Sequence, residues 1–577
     1  MSPRQKAPSV LPGPAGYCTS QLIPYLGNKR SLLPRLMPFF GKLSEGLQAP
    51  RFLDCFAGSG AVSRLARSMG MNVAANDWEP YSEALNACWL CLSPTDIETA
   101  FGGTTGLGAV LADWNSMHPS VAGGQVPASA RGEPYIARWY APAVTATPRL
   151  GEERLFYTAE NATFIDRVRT RLENEYPDPI PGSAEDIRRR VLLGGILLEA
   201  AVHANTSGVF KAYHRGFGGN GRDALTRILG RMEIEAPVLP DAPPARLFKE
   251  DARAFIAHES ADIAYFDPPY NQHQYGSNYH LLNTILRWDG RPMRLDPALE
   301  DGLSAKAGIP VSWKETRSPF CVKREAARSI ADLLDACDAA RLVFSWNADG
   351  HLSGEELVDL LSPRGRLDIV ALDYVSYRGG RQSASRSTRS CEYLFVVNTR
   401  AHPRESSHSR CSMAELAARD EILRSSYDPE KVAAAFAPAS EVVEFPESAA
   451  FFGKDPRRTG TAAADILGTM DGSRRSRFIE VLAGCACVDI VDELKVIASL
   501  AAGSARGGDI GAARKISGEA PRLIRKLAHD KYAEEFVRYI DLFKALSVES
   551  NNDSLYRKLV SLEQLMQLRS TCTGVRA

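Results

Sequence analysis

What the sequence lacks narrows it first. It has no net charge, since 69 Lys and Arg residues balance 69 Asp and Glu. No global field therefore draws it to a polyanion, and any nucleic-acid contact must come from local basic patches. It has no paired cysteine motif. The eleven cysteines are scattered, and the one CxxC, Cys88 to Cys91 in LNACWLCL, lies in a helix-like apolar stretch with no second CxxC or His pair nearby. That pattern excludes the usual zinc spacing and fits buried free thiols in a reducing compartment, with no metal site. It has no membrane-length apolar run: VLLGGILLEAAV from Val191 is too short to span a bilayer and is flanked by RRR and HAN. The start, MSPRQKAPSVLPGPAG, has no apolar core of a signal peptide and reads as a disordered lead-in over residues 1–20. No internal repeat is present. These absences leave a cytoplasmic globular protein, and 577 residues imply about three to four compact units.

The pattern that is present is mainly alternating strand and helix. RFLDCFAGSG reads as a strand and a glycine turn, AVSRLARSMG as a helix closing on Gly70, and NVAAND as a second strand. From about Ser93 to Gly151, pieces such as GGTTGLGAV and SVAGGQVPASARGEP break the periodicity, before helical patterns resume at ERLFYTAENATFIDRVRTRLENEY and IRRRVLLGGILLEAAVHA. After PVLPDAPPAR the α/β pattern returns with RLFKEDARAFI, DIAYFDPPY and the strand RLVFSWN. LSGEELVDLL reads as a helix with Ser353 and Glu356 as a capping box, and LDIVALDYVSY and EYLFVVN as a terminal hairpin. The expectation is an α/β fold, a mostly parallel sheet with an antiparallel terminal hairpin over residues 21–399, interrupted by an insertion at 94–245. Beyond it, residues 410–577 read as a helical module.

Four segments carry chemistry. In FAGSG, Gly58 and Gly60 follow a strand and open a helix, where bare backbone can approach a ligand and unpaired N–H groups are available. Asp54 lies on that strand, and Asp77 ends the next, at the spacing at which a carboxylate can hold both ribose hydroxyls. Ser63 stands where a dinucleotide fingerprint needs its third glycine, which favours a nucleoside cofactor without pyrophosphate. YLGNKR, with Tyr25 and Lys29, alone reads as a turn before a basic helix start. Asp251 in FKEDARAF is a carboxylate at a strand end. In DPPY, consecutive prolines must stop the strand IAYF, leaving Asp267, Pro268, Pro269 and Tyr270 at its carboxyl end, where open α/β sheets bind ligands. A carboxylate and a rigid carbonyl there can accept both N–H groups of an aromatic amine and localise its lone pair, while Tyr270 stacks on the ring.

YLGNKR, FLDCFAGSGAV, NVAAND and DIAYFDPPYNQHQYGSNYH, in that order, resemble the Dam-like class of adenine-specific DNA methyltransferases of restriction-modification type, over about Gln21 to Asn398. The resemblance implies a Rossmann-like methyltransferase sheet, S-adenosylmethionine as methyl donor, and methylation of the exocyclic amine of an adenine flipped out of double-stranded DNA. It implies that Tyr25 and Lys29 line the donor and target pocket, and that Asp54, Phe56, Gly58 and Gly60 cradle the donor's methionine part. Asp77 would hold its ribose and Asp251 would lie near its adenine, while Asp267, Pro268, Pro269 and Tyr270 would grip the target. The insertion would recognise the target sequence, a cognate restriction endonuclease or defence partner could accompany the chain, and the protein would sit on the bacterial nucleoid when bound to DNA.

Two basic patches then gain a role. HANTSGVFKAYHRGFGGNGR mixes Lys211, His214, Arg215 and Arg222 with Asn205, Asn220 and the aromatics Phe210, Tyr213 and Phe217, a set suited to base edges and phosphates. SYRGGRQSASRSTRSCEY carries Arg378, Arg381, Arg386 and Arg389. Rival readings are an RNA adenine or DNA N4-cytosine methyltransferase, and a catalytically silent DNA-binding subunit of a defence assembly. Asp rather than Ser at position 267 leans toward adenine.

Overall fold

The computed structural model describes residues 11–218, 222–288, 307–347, 350–375, 389–403, 406–436, 472–528 and 532–573. The chain folds as two compact units, Met1–Met413 and Ala414–Ala577.

The first unit is built on a seven-stranded sheet. Its strands are β1 (Arg51–Asp54), β2 (Asn72–Asn76), β3 (Arg246–Phe248), β4 (Ser260–Phe266), β5 (Asp338–Trp346), β6 (Arg366–Val375) and β7 (Arg389–Asn398). Their order is β3-β2-β1-β4-β5-β7-β6. The first five run parallel, and β7 enters antiparallel between β5 and β6. The mostly parallel sheet and its antiparallel hairpin are those expected from the alternating pattern. SADIAYF is nearly continuous in apolar residues because β4 is central and covered on both faces. The chain runs outward from β1 to β3 and then returns to the other side of β1 as β4. The order therefore reverses between β1 and β4, which opens a crevice beyond their carboxyl ends.

Local chemistry sets the boundaries. β4 stops at Phe266, before the two prolines that cannot donate to a ladder. Ser353 and Glu356 form the expected capping box on the helix Gly354–Leu361. Three expectations need correction. GGTTGLGAV is largely helical, within Gly103–Ser116, because Leu107, Leu111 and Trp114 bury one face at i, i+4, i+7 spacing and that packing outweighs glycine's low propensity. In RLFKEDARAFI the strand lasts only three residues, and Asp251 is the N-cap of a helix, Ala252–His258. Residues 1–10 of the expected lead-in lie outside the described residues, but Tyr17 and Cys18 are buried, and the Tyr17 hydroxyl donates to the Trp89 carbonyl at 2.9 Å.

The insertion does not form a core of its own. Trp114, Phe164 and Leu192 share one apolar cluster with Tyr81 and Leu85 after β2, and with Tyr279, Leu281 and Leu282 after β4. Segments read as an inserted region are thereby fixed to the elements that carry the crevice. In the second unit, the helices Ile490–Arg506, Ala520–Lys526, Ala533–Glu549 and Asp553–Thr573 pack around Leu494, Leu523, Phe536, Phe543 and Leu559. Among the described residues no helix is long and apolar enough to cross a membrane.

Candidate active site

The glycine turn after β1 is shaped by two close approaches. Gly58 has φ +51°, and a Cβ there would stand 2.7 Å from the Tyr25 ring; Gly60 has φ +78°, and a Cβ there would meet Asn86 Oδ1 at 2.1 Å. Only glycine satisfies both the left-handed backbone and the contact. The turn is tied to β2 by Asp77, whose Oδ2 accepts the Gly58 N–H at 2.7 Å and whose Oδ1 accepts the Glu79 N–H at 2.8 Å. Each oxygen keeps capacity for a second donor. Asp54 is buried at the end of β1, and Ser63 donates its hydroxyl to Oδ2 at 2.6 Å, while Oδ1 has no hydrogen-bond partner. Burial pushes the Asp54 carboxyl up to about 7 despite the Ser63 hydrogen bond.

At the end of β4, Asp267 lies over a buried charge cluster. Lys29 Nζ is 3.0 Å from Asp267 Oδ1 and 2.7 Å from Glu392 Oε1 on β7, and the Ser345 hydroxyl donates to that same Glu392 oxygen at 2.5 Å. Asp267 is 18% exposed and Glu392 0%. Burial raises the Asp267 carboxyl to about 6, with Lys29 pulling it down and Glu392 pushing it up. Lys29 is held well above its usual value: burial opposes its charge, but the two carboxylates more than offset it. The Tyr270 hydroxyl accepts from Asn347 Nδ2 at 2.9 Å, and the His351 N–H donates to the Tyr270 carbonyl at 2.6 Å. Tyr25 stacks on Tyr279 with centroids 4.9 Å apart, and the Tyr279 hydroxyl accepts the Leu26 N–H at 2.7 Å, which fixes the YLGNKR turn against the segment following DPPY.

These elements enclose one cleft of about 950 Å³, its mouth included. Tyr25, Lys29, Asp54, Phe56, Gly58 and Asp77 line it from the β1–β2 side, and Asp267, Pro268, Pro269 and Tyr270 from the β4 side. Asp251 joins the wall, although both its oxygens are engaged by Arg253, at 2.9 Å each. Gly60 does not line the cleft but opens the helix Ala61–Ser68 beside it. Lys29, expected to line the donor and target pocket, has its ammonium at the target side, in the DPPY cluster. The sequence reading missed Glu392, which looks unremarkable in EYLFVVN except as a lone carboxylate in an apolar strand. It also missed Glu79, a buried cleft residue that accepts from Asn283 Nδ2 at 2.9 Å and whose carboxyl burial lifts to about 7.

Of the basic patches, Lys211 and Arg215 are exposed on a loop tied to the segment after DPPY. The Phe210 N–H donates to the Asn278 carbonyl at 2.7 Å, and His280 Nε2 donates to the Phe210 carbonyl at 3.0 Å. Two members of that patch are structural rather than base-reading. Asn205 is buried, donating to the Leu155, His214 and Gly216 carbonyls and accepting the Gly218 N–H, and Phe210 lies in the core. Arg378, Arg381 and Arg386 lie outside the described residues, as do Asn220 and the side chains of Arg222 and Arg389.

Comparison with known proteins points the same way. The family model for D12 class N6 adenine-specific DNA methyltransferases matches residues 25–102 and 203–316, which hold the glycine turn and DPPY. The chain is 26% identical over 380 residues to the type II methyltransferase M.NlaIII of Neisseria lactamica, a match spanning 65% of this chain and 98% of that protein. It is also 26% identical over 377 residues to the type II methyltransferase M.CviAII of Paramecium bursaria Chlorella virus 1, with 65% and 98% covered. To M.FokI of Planomicrobium okeanokoites it is 28% identical over 254 residues, 44% of this chain and 36% of that one. No solved structure matches the chain significantly. In motif order, sheet topology and family match, the chain is similar to the D12 class of N6 adenine-specific DNA methyltransferases over residues 25–102 and 203–316.

Proposed function

We propose that the chain transfers a methyl group from S-adenosylmethionine to the exocyclic amine of an adenine flipped out of double-stranded DNA. The observation that carries this is that one cleft at the β1/β4 switch point joins the Gly58 turn, Asp54 and Asp77 to Asp267 and Tyr270. The residues present fit the donor. Asp54 offers a buried, unpartnered carboxylate oxygen suited to an ammonium, Asp77 retains acceptor capacity for two hydroxyls, and Gly58 leaves backbone bare. When bound, S-adenosylmethionine supplies a methyl group on a positively charged sulfur that departs as a neutral thioether.

Asp267 and the Pro268 carbonyl accept the two N–H groups of the adenine amine. Their negative ends draw its lone pair out of the ring and stabilise the positive charge that grows on nitrogen, while Tyr270, steadied by Asn347, stacks on the base. The methylated nitrogen is cationic and acidic, and its surplus proton passes to Asp267 or to water. Unstacking the base costs a few kcal/mol, which these contacts offset. Residues 94–245 would recognise the target sequence, with Lys211 and Arg215 on phosphate or base edges beside the cleft. The helical module of residues 410–577 has no assigned part in the chemistry. Relatives named as type II methyltransferases favour a restriction-modification setting with a cognate endonuclease, and a bacterial cytoplasm is part of the same proposal.

The test is transfer of a labelled methyl group from S-adenosylmethionine to duplex DNA by purified protein, followed by nucleoside analysis. N6-methyladenine is expected. Label on cytosine, label on RNA alone, or donor binding without transfer would each overturn the proposal.

A further inference from the structure

Glu392 has no place in the reaction as just described, yet it is the most deeply buried charged group at the site. β7 carries it there because β7 lies antiparallel beside β5, with Tyr393 paired to Trp346 and Leu394 to Ser345. Its Oε1 is 2.7 Å from Lys29 Nζ and 2.5 Å from the Ser345 hydroxyl. The same ammonium is 3.0 Å from Asp267 Oδ1. One cation thus stands between two carboxylates, and with both ionised the cluster keeps one negative charge in surplus. Glu392 is fully enclosed and Asp267 opens to the cleft, so the surplus is presented where substrate would lie.

Without Glu392, Lys29 would neutralise Asp267 completely, and a neutralised carboxylate is a poor acceptor for an amine's protons. We propose that Glu392 is a positioning residue for the methyl-transfer reaction: by occupying one side of Lys29 it holds the ammonium in place while leaving Asp267 a net negative proton acceptor. This rests on the function proposed above and deepens it. It is not a catalytic role, since Glu392 acts only through Lys29.

Among the described residues, the groups that face Asp267 are few. Lys29 comes from the turn before the sheet, Asp54 from the end of β1, Tyr265 from its own strand, Glu392 from β7 and Tyr275 from the segment after DPPY. Lys29 is the only cation among them, and Asp54 acts on Asp267 as a second negative neighbour once ionised. Removing the Glu392 charge therefore removes a repulsion and frees the cation for Asp267, and both changes favour the Asp267 carboxylate. The acidic limb of activity, where Asp267 takes up a proton, must move to lower pH. Two charges bridged by one ammonium, at an effective dielectric constant of about 20, influence each other by roughly one to two pH units.

The experiment is the single-turnover rate of DNA methylation against pH for the wild type, Glu392→Gln and Ser345→Ala. Alongside it, the Asp267 side-chain carbon is titrated by NMR in aspartate-labelled full-length protein and assigned with Asp267→Asn. Glu392→Gln keeps the shape and an acceptor oxygen while removing the charge; Ser345→Ala disturbs the same packing and leaves the charge. The expected result is an acidic limb and a carbon titration that both fall by roughly one unit in Glu392→Gln, and by less than half as much in Ser345→Ala. An unmoved titration in Glu392→Gln, or an equal movement in Ser345→Ala, overturns the inference. A lowered titration in protein that does not methylate DNA upholds the charge arrangement and overturns the proposed function instead. If Glu392→Gln fails to fold, Glu392→Asp tests the same idea: the charge stays but withdraws from Lys29, and the titration is expected to fall by a smaller amount, while no movement or a rise counts against it.

Discussion

Replacing Asp54 with Asn should change how the stability of the donor-free protein depends on pH. Asp54 is enclosed, has one oxygen without a partner, and has a folded-state pKa raised to about 7 against an unfolded value near 3.9. A carboxyl raised on folding binds its proton more tightly in the native state. Its contribution is therefore fully present below the unfolded value and is lost as pH rises through about 7. From pH 5 to pH 8 the folded protein gives up this preference over about two pH units, at about 1.36 kcal/mol each, so the wild type should lose about 3 kcal/mol from this group. Asn does not titrate, so Asp54→Asn should gain about that much relative to the wild type across the interval, whatever its offset at pH 5. Urea unfolding followed by tryptophan fluorescence isolates the relevant unit, because all seven tryptophans fall between residues 78 and 346. Parallel pH profiles for the two proteins would refute the reasoning, as would a variant that loses stability relative to the wild type toward pH 8.

Other outcomes follow from the same geometry. Lys29→Met leaves two buried carboxylates without their cation and should cost about 3 to 5 kcal/mol at neutral pH, measured by the same unfolding assay. Gly60→Ala puts a methyl 2.1 Å from Asn86 Oδ1 in left-handed backbone, and calorimetry should register S-adenosylmethionine binding weakened at least about tenfold. Lys211→Ala and Arg215→Ala should each weaken DNA binding and lower the slope of log affinity against log salt by about 0.9, without changing donor affinity.

Much of this architecture was legible because local rules and the global fold agree. Each strand coincides with an apolar run visible in the sequence, and the two prolines after Phe266 set the end of β4 without any tertiary information. GGTTGLGAV was misread because glycine speaks to intrinsic propensity, whereas its helix is held by the burial of Leu107, Leu111 and Trp114. The charge cluster was hidden for a different reason. Lys29 and Glu392 lie 363 residues apart, and nothing local marks either as the partner of Asp267. Asn205 reads like a surface base-reader in a polar loop, and only the folded chain reveals that its amide is consumed by the distant Leu155 carbonyl and by two carbonyls of its own loop.

Asp267, at the switch-point cleft, is proposed to direct methyl transfer to adenine in DNA. The most direct test is to express the wild-type chain and Asp267→Ala in a bacterial host free of DNA methylation, and to read modified bases across the genome by single-molecule sequencing. N6-methyladenine is expected in one recurring sequence with the wild type and nowhere with Asp267→Ala. Methylation that persists in the variant would contradict the claim, as would an unmodified genome in cells where the wild-type protein is folded and bound to S-adenosylmethionine.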